Sequence, residues 1–450
     1  MSHQDGFDVA YEYTVRYFPR FFTWVQFKMH SDNSKQQGSG DMANRLTGPD
    51  GMGPEYKIVV AINDDTIYAE SFLDVSDGPV ILTIPPYQHK YSILQLDVYG
   101  NIFSTVLSAN PPSNGGVFGF VQKDSYYDLP DGITRVELPY PFTTIAIRID
   151  KHTPAPENKN IVPLANEFRA SLKLQTLTNY EQNPEGGNAA ILPLLFFAPS
   201  VKLMADEGLA KWPESWLTTV QTAMADPSTQ PLSDDDKLLM QRFNTAFAMA
   251  KSLVEHDSGP MTAIIRGAQA AYAAIINRWQ SHRGPTNWIH FNNIGHWGDA
   301  YLDRAALTEY IQVGNDRKAA YYANAFVDAS GLPLDGGSFG YTITFQADEL
   351  PKCTRFWSLT AYTPEYIELV PNDAKKYVVA SYTKDLKTAD DGSVTIYIHA
   401  EEPSGKTPRP NWLPVPKGHF SLLFRVYGPL GSALAGTYVP PKIHRTVPLL

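Results

Sequence analysis

Asn63-Asp64-Asp65-Thr66-Ile67-Tyr68 puts an amide, two carboxylates, a hydroxyl and a phenol in one short stretch, just past the apolar run Lys57-Ile58-Val59-Val60-Ala61. A carboxylate beside a phenol is a base beside an acid. Asx and Thr side chains also bond their own backbone, so a purely structural turn is the equal alternative. Strand alternation places Asp64, Thr66 and Tyr68 on one face and Asn63 and Asp65 on the other, so the two adjacent carboxylates point apart. A second stretch, Phe356-Trp357-Ser358-Leu359-Thr360-Ala361-Tyr362, alternates in the same way. Trp357, Leu359 and Ala361 share one face. Phe356, Ser358, Thr360 and Tyr362 share the other, which could wall a polar-aromatic pocket or be the wet side of a sandwich strand. A third cluster has His290 and His296 flanking Asn292-Asn293, with Asp299 and Asp303 one helical turn apart beyond them. Two His and two Asp can hold a metal, but the spacing fits no strong zinc signature, and Arg304 offers a carboxylate another partner. Trp412, in Asn411-Trp412-Leu413-Pro414-Val415-Pro416, is either a core plug or a ligand platform.

Composition narrows the classes. The chain has 450 residues, a net charge of −10 and no basic block, which disfavours nucleic-acid binding. Its single cysteine, Cys353, excludes a disulfide framework within one chain and reads as an inert strand thiol. The beginning Met1-Ser2-His3-Gln4-Asp5 lacks the regions of a signal peptide, and no apolar run is long enough to span a bilayer, so the expectation is cytoplasmic with no membrane span. Neither a Gly-x-Ser-x-Gly elbow, a P-loop nor a strand-borne Gly-x-Gly-x-x-Gly is present, and no cofactor is expected.

The elements that must position these residues divide the chain into four expected segments. Residues 1–55 read as a helix and a long flexible loop: Val9, Tyr13, Tyr17 and Phe21 recur on one helix face, Pro19 marks a break or kink, and residues 30–55 are rich in Ser, Gly, Asn and Asp. Loops of that length are often disordered or act as lids. Residues 56–158 read as a first β module of short apolar runs cut by Gly78-Pro79 and Pro85-Pro86. Residues 159–312 read as helical, with Ser233 and Asp236 forming a capping box and Pro260 opening a buried helix behind Ser258 or Gly259. Residues 313–450 return to alternation as a second β module. The expected fold is mostly β with α: two antiparallel sandwich or jelly-roll-like modules around a helical insert.

At these residues the chain resembles a bacterial, fungal and viral family that pairs two domains of unknown function, number 1254 before number 1214. The first module's pattern is similar to Asn63-x-Asp65-Thr66-x-Tyr68, Leu73-Asp74, Gly78-Pro79-Val80, Pro85, Tyr91, Asp97, Tyr99, Asn101 and Arg148. The second is similar to Asp328-x-x-Gly331-x-Pro333-Leu334-x-Gly336, Leu350-Pro351, Phe356-Trp357-Ser358-Leu359-Thr360-x-Tyr362, Asn372, Tyr377, Asp391-Gly392, Asn411 to Pro416, Arg425-x-Tyr427 and Pro440-Pro441. Three departures stand out: Lys376 where the family usually has Arg, Lys352 where it has Pro, and Ser104 to Gly116 in place of a Gly-Arg run. The resemblance implies two β-sandwich-like modules, helices between them and an oligomer, and it implies no settled activity.

Polar and aromatic motif residues recur in both β modules, where packing alone needs only apolar ones. The leading expectation is therefore a non-redox enzyme of lyase, isomerase or hydrolase type, acting on a small organic substrate bound between the modules. Asp65 or Asp64 would be the base, Tyr68 or Tyr362 the acid, and Arg148 the anion or oxyanion partner. Asn63, Trp357, Ser358, Thr360, Tyr362, Tyr377 and Trp412 would bind substrate. One alternative is a non-catalytic carbohydrate- or lipid-like ligand-binding protein using the tryptophans as platforms. The other is a metal-dependent enzyme built on His290, His296 and Asp299.

Overall fold

The computed structural model describes residues 3–36, 42–48, 53–187, 200–254, 257–402 and 408–446. The chain begins with helix α1 (His3–Gln36). The first module contains β1 (Thr66–Asp74), β2 (Val80–Ile84), β3 (Tyr91–Leu96), α2 (Val106–Ala109), β4 (Gly116–Gln122), β5 (Ile133–Leu138), β6 (Phe142–Asp150), α3 (Val162–Ser171) and β7 (Lys173–Thr176). A helical layer follows: α4 (Leu177–Gln182), α5 (Val201–Lys211), α6 (Pro213–Ala225), α7 (Asp234–Leu253), α8 (Gly259–Ser281) and α9 (Tyr301–Tyr310). The second module holds β8 (Ala320–Ala325), β9 (Gly340–Phe345), β10 (Cys353–Tyr362), β11 (Val378–Ala380), β12 (Val394–His399), β13 (Trp412–Pro414), β14 (Ser421–Pro429), α10 (Gly431–Ala435) and β15 (His444–Thr446).

Each module is a pair of sheets. In the first, the antiparallel sheet β1-β6-β3 faces the sheet β5-β4-β2-β7, in which only β4 and β5 run parallel. In the second, β11-β10-β14-β8 faces β13-β12-β9-β15. The fold is α+β with mostly antiparallel sheets, as expected. Period-2 alternation explains the layering. Ile67, Ala69 and Leu73 of β1 and Ile145, Ile147 and Ile149 of β6 turn into the first sandwich. Trp357, Leu359 and Ala361 of β10 turn into the second.

One sheet in each sandwich is buried on both faces. β6 and β14 are buried almost throughout, whereas β5 and β9 alternate. The reason is a third, central core, where Phe72, Phe142, Phe356, Tyr362, Leu423 and Tyr427 from the outer faces of these sheets join α1 and the helical layer. The structure is thus two sandwiches clasping a helical centre.

The N-terminal helix departs from expectation. It runs through Pro19 without a break. The ring removes one N–H from the ladder, but Phe18, Phe21 and Phe22 are sealed in the central core on either side, and the Arg304 guanidinium donates to the Arg16 carbonyl in that turn. Tertiary packing outweighs the local penalty. Gly267 of α8 lets α1 come close: a Cβ there would lie 2.3 Å from the Phe7 carbonyl oxygen.

The expected loop of 30–55 is shorter than its composition suggests. α1 reaches Gln36, and residues 42–48 lie along β1, bridged at Ala43–Phe72 and Thr47–Glu70. The remainder of the proposed lid, 37–41 and 49–52, lies outside the described residues. Lys173–Thr176, inside the segment expected to be helical, instead forms β7 and pairs with β2. The two helix starts agree with their sequence signals: Ser233 accepts from the Asp236 N–H at 3.1 Å, and Pro260 follows the Ser258 cap. Among the described residues no helix is long and apolar enough to cross a membrane.

Candidate functional site

Asn63 closes the turn that starts β1. Its Oδ1 accepts from the Asp65 and Thr66 N–H groups at 3.1 and 3.3 Å and from the Thr66 hydroxyl at 3.2 Å, as Asx chemistry dictates. Its Nδ2 donates across the module boundary to the Tyr427 hydroxyl at 2.6 Å. Asp65, fully buried, accepts from the Ser358 hydroxyl at 2.8 Å and the Tyr382 hydroxyl at 2.5 Å. Burial raises its pKa, and the Arg425 charge with the two hydroxyls works the other way. Arg425 donates to the Ala61 carbonyl at 2.5 Å and to Thr360 Oγ1 at 3.4 Å. Tyr362 donates to the Ile62 carbonyl at 2.5 Å. The first module's motif therefore meets the polar face of β10 and the Arg425-x-Tyr427 pair of β14.

This lattice reads as a rivet. Both carboxylate oxygens of Asp65 already hold an O–H donor, and a buried polar group so satisfied is stabilising rather than reactive. Asp64 points elsewhere, into an ion pair of 2.5 Å with Lys151 at the surface side. Next to it, Arg355 of the second module grips Asp150 of the first through two parallel contacts.

The open space lies beside the lattice rather than within it. A cavity of about 60 Å³ is bounded by α1, by the segment 56–62 and by the outer face of β1 and β6. Its polar groups are Thr23, Gln26, Tyr56, Tyr68, Glu70, Thr144 and Arg148. Strand register explains the convergence. Tyr68 and Arg148 are cross-strand partners, and Glu70 is two residues along on the same face. The Arg148 guanidinium lies 5.4 Å from the Tyr68 ring and donates to Asn315 Oδ1 at 2.7 Å; Asn315 in turn donates to the Tyr322 hydroxyl at 2.6 Å. The Tyr56 hydroxyl donates to Glu70 at 3.3 Å. Burial holds the Glu70 carboxyl above the usual range, against the pull of Arg148 and Tyr56.

Of the residues chosen from sequence, Tyr68 and Arg148 line the cavity, while Asn63, Asp65, Ser358, Thr360 and Tyr362 form the adjoining rivet. The remaining binding candidates are elsewhere. Trp357 stacks on Phe345 at 5.7 Å inside the second sandwich, and Trp412 donates to the His399 carbonyl at 2.9 Å, so both are core plugs and the platforms of the carbohydrate or lipid reading are packed away. Tyr377 packs against the central core, and burial raises its phenol.

The proposed metal ligands diverge. His290 sits between the Tyr322 carbonyl at 2.7 Å and Asn292 Oδ1 at 2.9 Å, His296 lies 3.6 Å from Asp316, and Asp299 accepts from Tyr301 at 3.3 Å. Among the described residues no group of three or more His, Cys, Asp or Glu could hold a metal ion.

Sequence reasoning missed Tyr56, Glu70, Asn315, Tyr322 and Tyr382. Alternation from Tyr68 already places Glu70 on its face, so that residue was within reach. Nothing local marks the others.

Residues 43–176 match the family model described as Protein of unknown function (DUF1254), and residues 319–431 match Protein of unknown function (DUF1214). A solved structure of a protein from Vibrio parahaemolyticus is similar over 98% of this chain and 100% of its own, with a TM-score of 0.62 and 19% identity, which shows a shared fold. An uncharacterised protein from Burkholderia cenocepacia is similar over 96% and 87%, with a TM-score of 0.45 and 14% identity. No curated protein matches the chain.

Proposed function

The chain belongs to the two-module family that joins DUF1254 to DUF1214, and from the site beside that junction we propose an acid–base enzyme acting on a small organic molecule held in the cavity. The carrying observation is that Glu70, Tyr68 and Arg148 project from one face of β1 and β6 into one enclosed space. In this reading Glu70, rather than Asp65 or Asp64, exchanges the proton. A carboxyl raised by burial is closer to the pKa that proton transfer near neutrality needs. Tyr68 and Tyr56 supply phenolic donors. Arg148 steadies negative charge that develops on the substrate. Lyase, isomerase and hydrolase reactions all draw on this set.

Proton abstraction next to a carbonyl or carboxyl is readable without knowing the product. The protein, incubated in D₂O with a panel of short carbonyl and carboxyl compounds, is expected to catalyse deuterium incorporation seen by proton NMR. Glu70→Gln is expected to slow it by about 10²- to 10⁴-fold. Equal exchange by the folded variant would overturn the assignment.

A further inference from the structure

We propose that the cavity takes a short-chain organic monocarboxylate, with Arg148 as its counter-charge. This rests on the cavity being the reaction site and names the chemistry of what enters it.

Four arginines in or beside the cores are satisfied in different ways. Arg355 holds the Asp150 carboxylate. Arg20 donates to Thr229, Ser228 and the Ala223 carbonyl. Arg425 reaches the Ala61 carbonyl and Thr360, with Asp65 close by. Arg148 is 5% exposed, has no carboxylate within 4 Å among the described residues, donates to the neutral amide oxygen of Asn315 and meets the Tyr68 phenol. A guanidinium has five donors and stays charged at any working pH. No other Arg148 nitrogen is sealed away without a partner, and the guanidinium lines the cavity, where its remaining donors meet the Tyr68 phenol and open space. Asn315, held by Tyr322, fixes one edge of the fork and leaves the planar group oriented for an incoming carboxylate.

Charge and size limit the ligand. Arg148 is the one basic side chain among the residues lining the cavity, and burial holds the Glu70 carboxyl opposite it above its usual range. One carboxylate matches the Arg148 charge, and a dianion would leave a buried charge unpaired. A space of about 60 Å³ holds roughly four water-sized groups. Val59, Val60, Leu96, Ala146 and Val313 supply an apolar wall for a short carbon chain.

Isothermal titration calorimetry on the full chain tests this with acetate, propionate and butyrate, each against its neutral amide. A carboxylate of the series is expected to bind at least about tenfold more tightly than its amide. Arg148→Met is expected to abolish the difference. Arg148→Lys, which keeps the charge without the fork, serves where the methionine variant fails to fold and is expected to weaken binding about tenfold. Glu70 faces Arg148 from β6, Tyr56 from the preceding segment and Tyr68 on its own strand; affinity is expected to fall as pH rises through its titration, and Glu70→Gln to remove that dependence while still binding. No binding by any carboxylate, equal binding of acid and amide, or undiminished affinity in the arginine variants overturns the proposal. Carboxylate binding without deuterium exchange overturns the enzyme reading and leaves this one standing. Exchange on neutral ketones without carboxylate binding does the reverse.

Discussion

Asp65, buried, and Glu70, half-buried, are carboxyl groups beside and on β1, and their surroundings differ. Asp65 has each oxygen capped by a hydroxyl from the second module. Glu70 has one phenol and faces space. Removing a hydroxyl from the first pair leaves a buried acceptor unsatisfied, so Ser358→Ala is expected to lower stability by about 1–3 kcal/mol in urea titration. Glu70→Gln should leave the urea midpoint nearly unchanged while acting on deuterium exchange. A reversal of these two outcomes would exchange the roles assigned to the two residues. Cys353 has no such ambiguity: burial pushes its thiol up to about 11, which keeps it protonated and unreactive near neutrality.

Among the elements, the helical layer carries the least expected chemistry. Lys202 on α5 is buried and donates to Asp206 at 2.8 Å and to the fully buried Glu309 of α9. Burial and the Asp206 carboxylate push Glu309 up to about 8, against the attraction of Lys202. Oδ1 of Asp206 and Oε2 of Glu309 both lack a donor, and a proton shared between the two carboxyls would satisfy both. Tyr272 and Tyr310 also face the pair, and Lys202 remains charged throughout this range. The folded pKa of Glu309 exceeds its unfolded value, so its stabilising contribution is complete below the unfolded pKa and is lost as pH rises through about 8. The melting temperature is expected to fall progressively as pH rises from about 5 to about 8 and to level off above that, and Glu309→Gln to flatten the slope in differential scanning calorimetry. The α1–α8 contact makes a separate, steric prediction. Gly267→Val must push a backbone carbonyl aside and is expected to cost about 1–3 kcal/mol, read as a lower urea midpoint.

At the scale of the whole molecule, the two sandwiches are joined by polar bonds between sheet faces that sequence pattern alone would assign to solvent. Asn63–Tyr427, Asp65–Ser358 and Asp150–Arg355 all cross that boundary. Asp150 is buried and the Arg355 side chain is only 9% exposed, so Arg355→Met strands a buried carboxylate and is expected to destabilise the fold by about 3–5 kcal/mol. The same coupling predicts one unfolding transition, with fluorescence and circular dichroism curves coinciding; two separated transitions would show that the modules fold independently.

Sequence by itself determined what is local. Period-2 alternation assigned Trp357 and Leu359 to one face of β10 and Ser358 and Thr360 to the other, and the structure agrees. Asx chemistry marked the Asn63 turn, and Ser233 and Pro260 marked helix starts. The ordered motifs identified both modules. Only tertiary structure decided which polar groups are satisfied and which face space. Ser358 and Tyr382 reach Asp65 from 293 and 317 residues away, and no short-range rule encodes such a partner. The same distance effect carries α1 through Pro19, turns both tryptophans into core plugs and opens the cavity at Glu70. Local pattern fixes the direction of a side chain. What it meets there depends on how sheets and helices pack, and that packing separates the rivet at Asp65 from the cavity at Glu70 and Arg148.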